Sequence, residues 1–125
     1  MPSRNLSDLT KACAQKAQAF LDSAKQNGID VLVTCTLRTR EEQAALWAQG
    51  RTTPGRMVTW AKVSMHESGE ALDVVPLRHG VPVWGTVGPD GELWQRLGAL
   101  GEAAGLTWGG RWRTPDYPHF QNDKG

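Results

Sequence analysis

Two histidines and two carboxylates occur in two short motifs that lie far apart in the chain. His66 and Asp73 belong to the run Ser-Met-His-Glu-Ser-Gly-Glu-Ala-Leu-Asp, whereas Asp116 and His119 belong to Asp-Tyr-Pro-His. Asp73 falls within Ala-Leu-Asp-Val-Val, an apolar and β-branched run that is typical of a buried strand. An unpaired carboxylate in such a strand would be costly or would take up a proton. We therefore expect a cation beside Asp73.

A zinc ion fits this expectation, because catalytic zinc sites use three protein ligands and keep a fourth position open for water. The sequence predicts His66, Asp73 and His119 as the ligands of one Zn²⁺ per chain, although manganese or cobalt can bind the same set in vitro. Gly69 lets the chain turn sharply, so that His66 projects from a loop towards the strand of Asp73. A single histidine is more often a structural side chain. The prediction therefore depends on the two motifs together.

Asp116 is the candidate general base. Pro115 and Pro118 exclude a regular helix around it, and a turn can direct Asp116 and His119 to one point. Zinc lowers the pKa of a bound water to about 7. A carboxylate within hydrogen-bond reach can accept the proton of that water. The alternative is that Asp116 only caps the turn through its own side chain.

Three further residues are candidates for substrate contacts. Arg38 lies between a predicted strand and a predicted helix. Its guanidinium can there bind a substrate carboxylate or stabilise an oxyanion. The alternative is a solvated arginine at the surface. Ser64 either donates a hydrogen bond to substrate or caps a turn. Trp108 is one of six tryptophans, which serve either a core or a groove for peptide or carbohydrate, and we include it among the substrate-binding candidates. His79 matches no ligand spacing and is expected at the surface.

The elements that must position these residues follow from local signals. A first helix is expected from an N-cap at Ser7 to a stop at Asn27-Gly28, and a second from the capping box Thr39-Arg-Glu-Glu to Gly50. A third helix is expected from Asp90, a possible N-cap, to Gly105. A long irregular loop is expected at 50–63. The predicted strands are residues 29–36, 72–75, 81–84, 106–108 and 119–121. This order favours an α+β domain with helices packed on one face of a small antiparallel sheet.

Composition limits the remaining possibilities. The chain has 125 residues, which suffices for one domain, residues 1–125, and its net charge is +1. Dispersed charges argue against binding to nucleic acid. The N-terminus lacks the apolar stretch of a signal peptide, and no segment is long and apolar enough to span a membrane, so a cytoplasmic protein without stable membrane association is expected. Cys13 and Cys35 form no Cys-x-x-Cys pattern and are expected to be buried thiols.

Taken together, these residues resemble the zinc D,D- and L,D-peptidases of the VanY/VanX and D-alanyl-D-alanine carboxypeptidase group. The resemblance is greatest to phage endolysins of the L-alanyl-D-glutamate peptidase type. It covers about residues 30–120, and its two metal motifs are specific in combination. The matching pieces are Arg38, Glu42-Gln43, Leu46, Gly50-Arg51-Thr52, Pro54-Gly55, Val58-Thr59, Ala61, Ser64-x-His66-x-x-Gly69-x-Ala71-x-Asp73, Trp108-Gly109-Gly110-x-Trp112 and Asp116-x-x-His119-Phe120.

The resemblance implies the small α+β fold shared with the hedgehog signalling domain. It also implies zinc on His66, Asp73 and His119, Asp116 as the base, and Arg38 as an anchor for substrate or transition state. Many members of the wider group carry Glu where Asp116 stands, and the shorter Asp agrees better with the branch that cleaves Ala–Glu bonds.

The implied activity is that of a zinc metallopeptidase and endolysin, which hydrolyses the L-Ala–D-Glu bond of peptidoglycan stem peptides. A monomeric catalytic domain without a separate cell-wall-binding domain is expected. It would accumulate in the host cytoplasm until a separate pore protein releases it. The alternatives are a D-Ala-D-Ala carboxypeptidase or dipeptidase with the same site, and a non-catalytic zinc-containing binding module.

Overall fold

The computed structural model describes residues 3–55 and 65–123. Ser64 and most of the 50–63 loop therefore lie outside the described residues. Within these ranges the chain forms an α+β fold, with helices on an antiparallel sheet, as predicted. The elements are α1 (Lys11–Gln26), β1 (Asp30–Cys35), α2 (Arg40–Ala48), β2 (Ala71–Arg78), β3 (Val81–Pro82), α3 (Gly88–Ala103), β4 (Thr107–Trp108) and β5 (His119–Gln121). Short 3-10 helices lie at Leu6–Asp8, Met65–Ser68 and Gly109–Arg111.

The sheet has the strand order β1-β2-β5-β4, and β3 pairs with the distal end of β2. β2 is thus central, with β1 on one side and β5 on the other. The register places Asp73 opposite Cys35 of β1 and opposite His119 of β5. Residues directly opposite each other in neighbouring strands project from the same face of a sheet. One face therefore carries a thiol, a carboxylate and an imidazole in a row.

The core lies between the sheet and the helices α1 and α3. Phe120 of β5 packs against Phe20 of α1, with ring centroids 4.5 Å apart. Gly101 of α3 lies over the same Phe120 ring, and a Cβ there would be 2.4 Å from it. Because no side chain intervenes, α3 approaches β5 closely. This packing holds β5, and with it His119, against the central strand.

Two expected helix starts were wrong. Thr10, rather than Ser7, caps α1, because its side chain accepts a hydrogen bond from the Cys13 amide and the preceding residues form a 3-10 turn. α3 begins at Gly88, so Asp90 lies in the first turn instead of capping it. Asp90 instead pairs with Arg78, its nearest carboxylate oxygen 2.5 Å from Nη1.

The predictions for the start of α2 and for the two cysteines are confirmed. The capping box at the start of α2 is complete, with both hydrogen bonds between Thr39 and Glu42 present. Cys13 and Cys35 are free and buried. Burial, followed by the charge of Glu70, raises the pKa of the Cys13 thiol to about 11. No helix among the described residues has the length and apolarity needed to cross a membrane.

Candidate active site

The structure brings both predicted histidines to one oxygen of Asp73. His66 Nε2 lies 3.2 Å from Asp73 Oδ1, and His119 Nδ1 lies 3.3 Å from the same atom. His66 and His119 face each other edge to face, with ring centroids 5.1 Å apart. Residues 53 positions apart in the chain are thus joined through one carboxylate on the central strand.

The segment that carries His66 is fixed by backbone contacts on both sides. The His66 carbonyl accepts a hydrogen bond from the Arg38 amide at 3.1 Å. Gly69, which follows the 3-10 helix, has φ +74° and accepts a hydrogen bond from the Thr10 amide at 3.0 Å. A Cβ at Gly69 would lie 3.1 Å from the carbonyl oxygen of Asp8. The glycine thus permits both the left-handed turn and the close approach to the start of α1.

In each imidazole, the nitrogen that faces away from Asp73 makes its own hydrogen bond, and this leaves the other nitrogen available to a metal. His66 Nδ1 lies 2.8 Å from the Thr36 carbonyl oxygen, which can only accept, so Nδ1 carries the hydrogen and Nε2 faces Asp73. His119 Nε2 lies 2.7 Å from Gln121 Oε1, which leaves Nδ1 towards Asp73. Metal-bound histidines characteristically donate their other N–H to such an oxygen.

The donor types of His66, Asp73 and His119 fit zinc, and the two spacings from Asp73 to the histidines match a tetrahedral site. A tetrahedron with ligand bonds of about 2.0–2.1 Å has edges of about 3.3–3.4 Å. The two distances from Asp73 Oδ1 to His66 Nε2 and His119 Nδ1, 3.2 Å and 3.3 Å, match such edges. Two neutral imidazoles and one carboxylate also form one of the usual catalytic zinc ligand sets.

Charge is strongly stabilised on these side chains. Burial opposes ionisation of Asp73, but the hydrogen bonds from His119 and His66 outweigh it and hold the pKa of Asp73 well below its usual range. Burial likewise opposes protonation of His66. Its contacts with Asp73 and Cys35 prevail and raise the pKa of His66 to about 10 in the metal-free protein. The pocket therefore favours a cation next to Asp73, either a proton on imidazole or a metal.

Cys35 is a site residue that the sequence analysis missed. Its Sγ lies 3.7 Å from His66 Nδ1, and ligand atoms of Cys35, His66 and Asp73 all lie within 4.8 Å of one another. Among the described residues, they form the candidate metal set whose ligand atoms are all this close together, and His119 is not part of that set. No Cys-x-x-Cys spacing marks this thiol. Only the pairing of β1 with β2, which includes a register shift between Val33 and Cys35, places it opposite Asp73.

Asp116 lies in a turn that the backbone ties to His119. The Asp116 amide donates to the Gly109 carbonyl at 2.9 Å, and the Asp116 carbonyl accepts from the His119 amide at 3.2 Å. Asp116 as a whole residue is exposed, although its carboxylate is partly shielded from solvent. Partial burial by its surroundings and the nearby negative charge of Asp73 raise its pKa, although the histidines and Arg38 act in the opposite direction. A raised pKa suits a group that must accept a proton near neutral pH.

Arg38 is not a solvated surface arginine, because only 13% of its side chain is exposed. Nη1 donates to Gln43 Oε1 at 2.6 Å, and Nη2 lies 3.9 Å from Asp73 Oδ2. Within the described part of the chain, its buried Nε has no hydrogen-bond partner. The guanidinium therefore lies at the site and retains donor capacity.

The tryptophan beside the site is Trp112, and the expected substrate contact of Trp108 is corrected. Trp108 is fully buried, and its indole N–H donates to the Tyr117 carbonyl at 2.7 Å, so it supports the Asp116 turn from the core. The Trp112 ring is 38% exposed, and its centroid lies 5.2 Å from that of His119. Spacing alone did not distinguish two tryptophans four residues apart. His79 is exposed, as predicted, in the turn between β2 and β3.

Comparisons with known proteins place the chain among peptidases. A family profile described as D-alanyl-D-alanine carboxypeptidase, of the Peptidase M15 group, matches residues 58–122. The peptidoglycan L-alanyl-D-glutamate endopeptidase CwlK of Bacillus subtilis (strain 168) is 36% identical over 124 residues, which cover 92% of this chain and 74% of that protein. The L-alanyl-D-glutamate peptidase of Listeria phage A118 is 38% identical over 122 residues, covering 96% of this chain but only 39% of the phage protein.

The solved structure of the Serratia marcescens L-Ala D-Glu endopeptidase ChiX has the same fold. It superposes with a TM-score of 0.75 at 23% identity, covering 98% of this chain and 88% of that one. A VanY D,D-pentapeptidase solved with Zn(II) superposes with a TM-score of 0.63 at 15% identity, covering 93% of this chain and 73% of that one.

Proposed function

This chain belongs to the Peptidase M15 family and is a peptidase, and from that premise we propose that it is a zinc-dependent endopeptidase that hydrolyses the L-Ala–D-Glu bond of peptidoglycan stem peptides. Two relatives that align with nearly the whole chain, at 36% and 38% identity, carry that activity in their names. The observation that carries the proposal is the convergence of His66 Nε2 and His119 Nδ1 on Asp73 Oδ1.

The chain's own residues divide the chemistry among them. His66, Asp73 and His119 would hold a zinc ion, which would supply a Lewis acid for the attacking water and the scissile carbonyl. Asp116 accepts the proton of the attacking water at a carboxylate oxygen and delivers it to the leaving amine of D-Glu. Arg38 stabilises the oxyanion that develops on the carbonyl oxygen, or anchors a carboxylate of the substrate. Each cleavage consumes one water and yields a new carboxylate on L-Ala and a new amine on D-Glu.

The experiment is digestion of purified peptidoglycan, followed by mass analysis of the fragments. Wild-type protein loaded with zinc should release free stem peptides that begin with D-Glu. Asp116→Asn should retain zinc and lose about 10²- to 10⁴-fold in turnover, the usual contribution of general acid–base catalysis. Full activity of this variant would remove Asp116 from the mechanism.

A D,D-carboxypeptidase is the second candidate, because the matching family profile carries that description. The same site would then act on the terminal D-Ala. Release of D-Ala alone from the same digest, with no new amine on D-Glu, would select this activity over the endopeptidase. A non-catalytic zinc module that binds cell-wall peptide would release neither product, and its affinity for stem peptide would survive Asp116→Asn.

We further propose that the peptidase acts as an endolysin. It would accumulate in the host cytoplasm and depend on a separate pore protein for access to the wall. The similarity to the Listeria phage protein supports this role. Expression in a bacterial host should leave cells intact without a pore-forming protein and lyse them when one is co-expressed. Survival of cells that produce both proteins would contradict the proposal.

A further inference from the structure

A chain of hydrogen bonds continues outward from His119 through two residues that the sequence analysis did not single out. His119 Nε2 lies 2.7 Å from Gln121 Oε1. Gln121 Nε2 in turn donates to Asp123 Oδ1 at 2.6 Å. His119 and Gln121 project from the same face of β5, because residues two apart in a strand do so.

The chemistry of the last acceptor fixes the direction of the whole chain. An ionised carboxylate only accepts hydrogen bonds, so it selects the NH₂ group of the Gln121 amide. The amide oxygen must then face His119. An oxygen there accepts only from an N–H, which places the hydrogen of His119 on Nε2. In the neutral imidazole that binds a metal, Nδ1, the nitrogen that faces Asp73, has then given up the hydrogen that it donates to Asp73 in the metal-free protein, and its lone pair is available to the metal.

We propose that Gln121, oriented by Asp123, is a positioning residue that holds His119 in the Nε2–H tautomer and so presents Nδ1 to the metal. Thr36 does the same for His66 through its backbone carbonyl. That contact does not depend on side-chain identity, whereas the contact at His119 does. The proposal rests on the zinc site inferred above and adds the residues that determine its third ligand.

The test is zinc affinity, measured by competition with a chromophoric chelator. Gln121→Leu keeps the side-chain size but removes the acceptor, and should raise the dissociation constant for zinc about 10- to 100-fold. Gln121→Glu retains an acceptor oxygen and should stay within about threefold of wild type. Asp123→Ala frees the amide to rotate and should give a smaller increase than Gln121→Leu.

A spectroscopic measurement separates positioning from a general effect on folding. In ¹⁵N-resolved NMR spectra of the zinc-loaded protein, the Nε2–H proton of His119 should be observable and protected from exchange. The signal should persist in Gln121→Glu and be lost in Gln121→Leu. The matched control is Gln18→Leu, because Gln18 donates to Asp22 at 2.9 Å on the exposed face of α1 with no histidine beyond it. It should change neither zinc affinity nor the signal.

The outcomes distinguish this inference from the function on which it rests. If wild-type protein binds no zinc, the proposed metallopeptidase fails. If wild type binds zinc but Gln121→Leu binds it equally well, or if Gln121→Glu is as weak as Gln121→Leu, the positioning role is overturned and the zinc site stands. Thermal melting of each variant should confirm that the fold is retained, since the backbone of Gln121 pairs with both β2 and β4.

Discussion

Replacing Gly109 by alanine should impair catalysis without removing the metal. The Gly109 carbonyl accepts hydrogen bonds from the amides of both Trp112 and Asp116, so the loop between them closes on this residue. A Cβ at Gly109 would lie 2.6 Å from the Asp116 carbonyl oxygen and 3.2 Å from the Trp112 ring. Because the nearer obstacle is backbone, the Asp116 turn itself must move.

The size of the effect follows from that distance. Ordinary van der Waals contact of a Cβ begins at 3.4 Å, so the turn must shift by roughly 0.8 Å, at a cost in stability of about 1–3 kcal/mol. Misplacing a catalytic group by about 1 Å costs on the order of 10²-fold in rate. We therefore expect kcat/KM to fall by about 10- to 100-fold in a peptidoglycan digestion assay. Zinc should remain bound, since His119 is held by its pairing with β2.

Gly91→Ala is the matched control. A Cβ at Gly91 would also lie 2.6 Å from a backbone carbonyl oxygen, that of Thr86, at the start of α3. The clash in Gly91→Ala should lower the unfolding free energy by about 1–3 kcal/mol. The higher helix propensity of alanine offsets roughly 1 kcal/mol of that loss. The kcat/KM of this variant should be normal. If both variants lost the same stability and Gly109→Ala remained fully active, the turn between Gly109 and Asp116 would not be required to position the Asp116 carboxylate.

Four further predictions concern substrate contact, protonation (two of them) and helix capping. Trp112→Ala should lower kcat/KM about 3- to 10-fold, mainly through KM, as expected from the roughly 0.5–1.5 kcal/mol of an aromatic contact. The control is Trp84→Ala, since Trp84 is 57% exposed, and its kcat/KM should be unchanged. Equal losses of kcat/KM in the two variants would contradict a substrate contact of Trp112. Since the pKa of His66 is raised to about 10 in the metal-free protein, zinc binding at pH 7 should release about one proton from His66. The release is measured by calorimetry in buffers of different ionisation enthalpy. Zinc binding without proton release would refute the raised pKa of His66. The same raised pKa stabilises the metal-free fold fully below about pH 6.5, and this contribution should be lost in urea titrations as pH rises towards 10. Thr39→Ala should lower the unfolding free energy by about 1 kcal/mol in urea with unchanged zinc affinity, and an unchanged midpoint would show that the capping box is not stabilising.

Several features of the fold and site could be predicted from sequence because their causes are local. The capping box of α2 needs only Thr39 and Glu42, three residues apart, and both of its hydrogen bonds form. The strand around Asp73 was recognised from its apolar, β-branched neighbours. A buried carboxylate requires compensation whatever surrounds it, so the same run also predicted a cation beside it. The helix start at Ser7 was wrong because Thr10, another capping residue nearby, caps α1 instead. The start at Asp90 was wrong because α3 begins after Val87 with a proline in its first turn and no capping side chain.

Residue types and their spacing by themselves predicted that two imidazoles and a strand carboxylate share a site with a second carboxylate, and the structure brings His66 and His119 to Asp73. Only the tertiary structure decided its remaining members. The pairing of β1 with β2 placed Cys35 opposite Asp73, and the packing of the sheet buried Trp108 while leaving Trp112 beside His119. The physical reason is that strand register and the face a side chain occupies depend on contacts between residues distant in the chain, which no local pattern contains.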